Sequence, residues 1–386
     1  YLAHAPMEPL NCVIDLKDDR CTVWAGTQFQ TVDQGAVAQV LGLAPDKVTV
    51  NTLMAGGGFG RRAVPTADYL VEAANIVKAW KAKGNSTPLK ILWSREDDIR
   101  GGYYRPMHVH RTEIGFDDKG NVLGWDHTIV GQSILTGTPF EAFMVKNGVD
   151  SVSTEGVADT PYNVPMALQV HHPKVNVPVL WWRSVGHTHT AFVMETLVDE
   201  IARATGQDPV AYRRALINDK HERHLAALDL AVDKSGYGKK TLTKGQAFGV
   251  AVHESFGSVV AYVVEASVAN GQPVLHRVTA GVACGTAVNP LAVEAQVQGA
   301  ALMALGTTLP GSAITLKDGV VQQSNFGDYT VARMPQMPLV AVHIVPSTEP
   351  PTGMGEPGVP PLAPAFANAL AQLTGKPLRS LPFEMG

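Results

Sequence analysis

Three apolar runs, 247–253, 259–268 and 274–283, follow one another closely, and they constrain the fold of this chain more than any other feature. Each reads as a strand, and Asn270-Gly271, a pair suited to a two-residue turn, marks a hairpin between the last two. Further strands are predicted at 13–16 and 21–25, turned at Lys17-Asp18-Asp19-Arg20, and at 48–53 and 89–94. Another hairpin is expected from 108–116 and 122–131, turned at Asp117-Asp118-Lys119-Gly120-Asn121. Helical spacing of apolar residues appears at 31–41, stopped by Gly42, and helices are also predicted at 68–83 and 187–205. Others start at Pro209 and cover 291–305 and 363–374. The fold class is therefore α+β, with mixed sheets and packed helices. A charged stretch, 220–244, reads as a linker between units 1–219 and 245–386.

Composition bounds the function. The chain has 386 residues, 45% of them hydrophobic and 17% charged, enough to bury a large core. A net charge of −4 and the lack of any basic run leave no footprint for nucleic acid. No apolar stretch approaches the roughly 18–20 residues that span a bilayer. The three cysteines, Cys12, Cys21 and Cys284, are scattered and cannot supply the thiolates of an iron–sulfur cluster. Any such cluster is expected on another chain. A start at Tyr1 without an initiator Met reads as a processed chain or a fragment.

Several motifs have the residue types that chemistry needs. Gly56-Gly57-Gly58-Phe59-Gly60 lies between a strand and a helix, where glycines let backbone N–H groups approach an anion or a flat ring. It is neither a Walker loop nor G-x-G-x-x-G, and a plain tight turn is the alternative. Phe59 with Arg61-Arg62 suits an anionic, ring-bearing cofactor. In Pro350-Pro351-Thr352-Gly353-Met354-Gly355-Glu356-Pro357-Gly358-Val359-Pro360-Pro361, a lone carboxylate sits in a loop stiffened by prolines. Glu356 is either a posed general base or a solvated loop residue. The following helix N-terminus would lower its basicity, whereas burial would raise it. Gly26-Thr27-Gln28 and Trp181-Trp182-Arg183-Ser184-Val185-Gly186 place donors beside small residues, as an oxyanion or oxo ligand requires. Gln28 reads equally as a capping amide, and Arg183 as a surface ion-pair partner. His108 with His110, His171-His172, and His187 with His189 admit a metal pair, although no H-E-x-x-H spacing completes a zinc motif. Structural histidines are the alternative. Phe140, Phe143, Trp181, Trp182 and Phe256 are either pocket walls or core.

In this order, the segments from His4-Ala5-Pro6-Met7-Glu8-Pro9 to Gly355-Glu356-Pro357 resemble the large subunits of the xanthine dehydrogenase and aldehyde oxidase family of molybdenum hydroxylases. The branch most resembled is that of bacterial isoquinoline 1-oxidoreductase beta subunits and membrane-associated aldehyde dehydrogenases. Family large subunits extend further at the N-terminus, so the chain resembles their molybdopterin-binding part, with 1–219 and 245–386 as its two subdomains. The resemblance implies that Glu356 is the base beside molybdenum and that Gln28 donates to an oxo group. It implies cofactor contacts from Gly57, Gly58, Phe59, Gly60, Gly355, Gln296 and Gln298, with Ser255, Gly257 and Ser258 holding phosphate. Arg183 falls where the family has an arginine, although Trp182-Arg183-Ser184-Val185-Gly186 departs from the family's A-x-R-G-F-G. The pterin dithiolene, not the protein, would hold the metal. The implied cofactor is molybdenum-molybdopterin in its cytosine dinucleotide form. The implied reaction oxidises an aldehyde or N-heteroaromatic ring with oxygen from water. Electrons would pass to a separate subunit with 2Fe-2S clusters, and a cytochrome c subunit is a further partner the branch allows. A bacterial cell-envelope or periplasmic location is expected, with the cytoplasm as alternative. The rival readings are a non-catalytic paralogue and a zinc-dependent hydrolase using the histidine pairs.

Overall fold

The computed structural model describes residues 1–217 and 220–385. Near the N-terminus, strands β1 (Asn11–Leu16), β2 (Cys21–Ala25), β3 (Val48–Thr52) and β4 (Leu89–Leu92) form a sheet in the order β3-β2-β1-β4. Its apolar face is covered by α1 (Gln30–Leu41) and α2 (Asp68–Ala82), whose Val37, Leu70, Ala73 and Val77 join Ile14 and Val23 in one core. The hairpin β5 (His108–Phe116) and β6 (Val122–Gly131) gains a parallel third strand, β7 (Met166–His171).

The central sheet is the deepest part of the molecule. Strands β8 (Gln246–Ser255), β9 (Ser258–Ala269) and β10 (Gln272–Ala283) form an antiparallel meander, and β11 (Leu339–Ile344) adds parallel to β10. Asn270 (φ 52°) and Gly271 (φ 73°) make the expected hairpin turn. Helices cover both faces, which is why β9 is buried from Ser258 to Ala266 without alternation. The longer helices that follow are α3 (His187–Ala204), α4 (Pro209–Leu216), α5 (Glu222–Ser235) and α6 (Pro290–Thr308). With α7 (Leu362–Thr374), α6 packs on one face of the sheet, and α5 packs on the other.

The stretch 220–244 is thus mostly helix rather than linker, which corrects the sequence reading. Its charges lie on the outer face, while His224, Ala227, Leu228 and Ala231 are buried against the sheet. The expected unit boundary at residue 219 falls outside the described residues. Trp182 and Phe192 share a core with residues of β9, β10 and α7, so the two parts of the chain are packed together.

Candidate active site

The 350–361 loop enters α7 and is tied down from several sides. Thr286 N–H donates to the Glu349 carbonyl (2.9 Å), Thr352 N–H to that of Cys284 (3.0 Å), and the Tyr262 hydroxyl to that of Gly358 (2.8 Å). A Cβ at Gly358 would fall 2.9 Å from Ala300 and from Tyr262, so only glycine lets the loop lie this close to α6 and β9. Ser184 N–H donates to Glu356 Oε2 (2.9 Å), and the Ser184 hydroxyl donates to the Glu356 carbonyl (2.8 Å). Arg183 donates from Nε and Nη2 to the Gly355 carbonyl (2.9 and 2.5 Å), and from Nη2 to Gln296 Oε1 (2.9 Å). Ser184 and Val185 have φ of 76° and 46°, a costly backbone for a β-branched residue, and that turn presents the Ser184 N–H to the carboxylate. Burial pushes the Glu356 carboxyl above its ordinary pKa, opposed by the Ser184 N–H and the Arg183 charge. Burial therefore outweighs the influences that would make Glu356 a weaker base.

The glycine-rich loop adjoins this turn. Phe59 carbonyl accepts from Arg183 N–H (2.9 Å), and a Cβ on Gly60 would lie 2.7 Å from the Trp181 carbonyl. Gly57 and Gly60 have φ of 97° and 103°. A Cβ on Gly58 would meet Gln28 Oε1 at 2.7 Å, so the Gln28 side chain lies across the loop. A continuous path of contacts thus joins Gln28, Gly58, Phe59, Gly60, Arg183, Gly355, Glu356 and Gln296.

Some expected residues are placed differently. Gln298 hydrogen-bonds Glu294 on its own helix (3.0 Å), about 200° around the axis from Gln296, and is not brought to the cluster. Arg61 and Arg62 offer no free cation, which corrects their reading as anion partners. Arg61 is 1% exposed, pairs with Asp68 (2.6 Å) and stacks between Trp93 and Tyr103. Arg62 is equally buried and donates to the carbonyls of Gly57 (2.7 Å), Gly26 (3.1 Å) and Glu8 (3.0 Å), which fixes the glycine loop. Ser255 and Ser258 flank the Phe256-Gly257 turn between β8 and β9. Ser258 Oγ is hydrogen-bonded to Thr352 Oγ1 (2.7 Å), and Gly353 N–H donates to the Phe256 carbonyl (3.2 Å), so the turn abuts the Glu356 loop. Of the aromatics, Trp182 is core, Phe143 is 75% exposed, and Phe140 stacks on Phe29 and meets Trp181 edge-on.

The histidines bond mainly to one another. His110 joins His127 and His189 (2.8 Å each), His108 stacks on His189 (ring centroids 3.6 Å apart), and His187 Nδ1 meets His253 Nε2 (2.9 Å). Burial lowers His110 to about 3 and His127 and His187 to about 4, so these rings are neutral near pH 7. His171-His172 divide: His172 bonds the Gly131 carbonyl (2.8 Å), while His171 is exposed. The sequence reading missed Glu155, whose Oε2 is 3.6 Å from His187 Nε2 and whose carboxyl burial pushes up to about 8. Ser184 was also missed, because the group that holds the carboxylate is its backbone N–H, which leaves no mark on residue type.

The donor set fits a cofactor held by hydrogen bonds. Ser255 Oγ is buried beside the Glu356 loop with no partner, and the exposed Gln28 amide has none among the described residues. No cysteine, and no cluster of metal-ligating side chains, lies at Glu356 among the described residues. Such a site suits a metal that brings its own organic ligand.

Fold and site define a cofactor-binding chain whose protein groups are a glycine cradle, amide and hydroxyl donors and one buried carboxylate. The chain belongs to the molybdopterin cofactor-binding domain family, two models of which match residues 1–217 and 206–338. It is 34% identical to the isoquinoline 1-oxidoreductase subunit beta of Brevundimonas diminuta, over 98% of this chain and 48% of the relative. It is 30% identical to the membrane-bound aldehyde dehydrogenase [pyrroloquinoline-quinone] of Gluconacetobacter polyoxogenes, over 98% of this chain and 51% of the relative. The chain thus spans about half the length of these curated relatives. The quinoline 2-oxidoreductase of Pseudomonas putida 86 shares the fold with a TM-score of 0.81 at 14% identity, covering 97% of this chain and 72% of that one.

Proposed function

We propose that this chain is the cofactor-embracing part of the catalytic subunit of a molybdenum-dependent hydroxylase that oxidises an aldehyde or an N-heteroaromatic ring with oxygen from water. The observation that carries the reading is the pose of Glu356: one carboxylate oxygen held by Ser184 N–H, in a site that raises its proton affinity. The relatives named for isoquinoline, aldehyde and nicotinate oxidation support the substrate class. Molybdopterin in its cytosine dinucleotide form would supply two-electron redox chemistry when bound. The chain's own part is placement and proton handling. Gln28 and the Gly57–Gly60 backbone would hold the cofactor's polar edge, and Ser255 would donate to its phosphate. Arg183 is a positioning residue, because its Nε and Nη2 are taken up by Gly355 and Gln296. Glu356 would accept a proton at Oε1, the oxygen Ser184 leaves free. Phe29, Phe140 and Trp181 would wall off water beside Gln28.

The reading takes 1–219 and 245–386 as two subdomains around that cofactor, and places 2Fe-2S clusters on a separate subunit, with a cytochrome c as a further acceptor. The relatives named as subunits support a multi-chain assembly. The reading includes a cell-envelope location, which the relative named membrane-bound supports; no helix among the described residues is long and apolar enough to cross a membrane.

Glu356→Gln in the purified complex tests the assignment. Molybdenum and released pterin nucleotide are expected at wild-type stoichiometry, with kcat down by about 10²-fold or more. Near-normal turnover would remove Glu356 as the base. Release of pyrroloquinoline quinone in place of a pterin nucleotide would overturn the cofactor assignment.

A further inference from the structure

Among the described residues, one cluster of metal-ligating side chains lies outside the Glu356 site. His221 precedes α5 as its N-cap, His224 follows three residues later on the same face, and Glu254 sits next to the end of β8. One ligand atom from each lies within 4.8 Å of the others. His224 is 2% exposed, and its Nε2 has no hydrogen-bond partner. That nitrogen stands 3.6 Å from Glu254 Oε2, too long for a hydrogen bond. It is close to the edge of a tetrahedron built on metal–ligand bonds of about 2.0–2.1 Å, roughly 3.4 Å. The His221 and His224 rings meet edge-to-face with centroids 5.3 Å apart.

We propose that His221, His224 and Glu254 form a site for one divalent cation of the zinc class, with three protein ligands. Two imidazoles and a carboxylate are the borderline-soft donor set such cations prefer over calcium or magnesium. The neighbouring Arg223 has partners of its own: it donates to the Ala283 carbonyl (3.0 Å) and Thr352 Oγ1 (3.3 Å) and lies 3.8 Å from Glu349. The site has a structural consequence. Glu254 adjoins Ser255, and Thr352 touches both Arg223 and Ser258. A cation here clamps the start of α5 to the end of β8 and steadies the turn on which the Glu356 loop rests. This site is independent of the redox reading above.

The test uses the purified complex after dialysis against a chelator, with Co2+ and then Zn2+ as probes. One Co2+ per chain beyond any other metal is expected, with the visible absorption of a tetrahedral ion, displaced by Zn2+. His221→Ala and Glu254→Gln change partly exposed residues and should leave circular dichroism unchanged. Each should weaken Co2+ binding at least about tenfold. Zn2+ should raise the melting temperature of the wild type more than that of Glu254→Gln. Absence of stoichiometric binding at micromolar Co2+, or equal binding by wild type and both variants, would overturn the site. Molybdenum content and turnover are read separately, so failure here leaves the Glu356 assignment untouched.

Discussion

At the scale of single residues, burial acts on two carboxyls that differ in how openly the sequence displays them. Glu356 stands alone among prolines and glycines, and its candidacy was legible from that setting and from the family resemblance. Glu155 lies in Val152-Ser153-Thr154-Glu155-Gly156, which matches no motif. Its burial comes from residues distant in sequence: Gly186 approaches so closely that a Cβ there would lie 1.6 Å from the Val152 carbonyl and 3.3 Å from Glu155 Oε2. The carboxyl is pushed from 4.5 to about 8, first by desolvation. Between those values the folded chain keeps a proton that the unfolded chain releases, so stability should fall as pH rises from 4.5 through 8. The slope approaches about 1.4 kcal/mol per pH unit at most. The difference between wild type and Glu155→Gln isolates this residue from the neutral histidines around it. Urea midpoints at pH 5.5, 7 and 8.5 should converge for the variant and decline for the wild type. Parallel pH profiles would show that Glu155 is already ionised in the fold.

At the scale of elements, the hairpins and long helices were readable because each carries its own signal. Asn270-Gly271 fixes a turn locally, and the Asp117–Asn121 loop does the same for β5 and β6. Of the strands that join by parallel pairing, β3 was read, whereas β7 and β11 were not, their partners being set by the tertiary fold rather than by an adjacent turn. The helix in 220–244 was missed for a related reason: charge dominated the composition while four spaced residues faced the sheet. The sheet shows how close that contact is. A Cβ on Gly281 would lie 2.0 Å from the Ala227 carbonyl of α5, and one on Gly249, on the opposite face, 2.0 Å from the Ala365 carbonyl of α7. Backbone cannot yield as a flexible side chain would, so the helix must move away from the sheet. Gly281→Ala should therefore destabilise the protein by about 1–3 kcal/mol or more. The urea midpoint measures it, and an unchanged midpoint would mean that α5 floats on the sheet rather than packing against it.

At the scale of the whole molecule, the two halves are joined by a polar network with no solvent access. Arg213 of α4 pairs with Glu195 (2.9 Å) and Asp199 (3.2 Å) of α3, and all three side chains are at most 3% exposed. Tyr162 donates to Glu195 Oε1, and Val252 N–H of β8 donates to Glu195 Oε2 (3.0 Å). Asn368 of α7 spans the same junction, donating to the carbonyls of Glu195 (3.2 Å) and Val250 (3.0 Å). A buried pair of this kind is costly to desolvate and contributes little net stability, yet removing one partner leaves the other charge unmatched. Here one guanidinium serves two carboxylates, so its loss leaves Glu195 with no cationic partner and Asp199 with Arg203 alone (3.1 Å). Arg213→Leu should cost about 3–5 kcal/mol, more than truncating an apolar neighbour of similar volume. Because Glu195 also accepts a backbone N–H from within a strand of the second half, the loss should lower a single unfolding transition instead of melting residues 1–217 first. Differential scanning calorimetry distinguishes these outcomes: one shifted peak supports the shared junction, whereas a new low-temperature peak would mean that the first half unfolds independently of the central sheet.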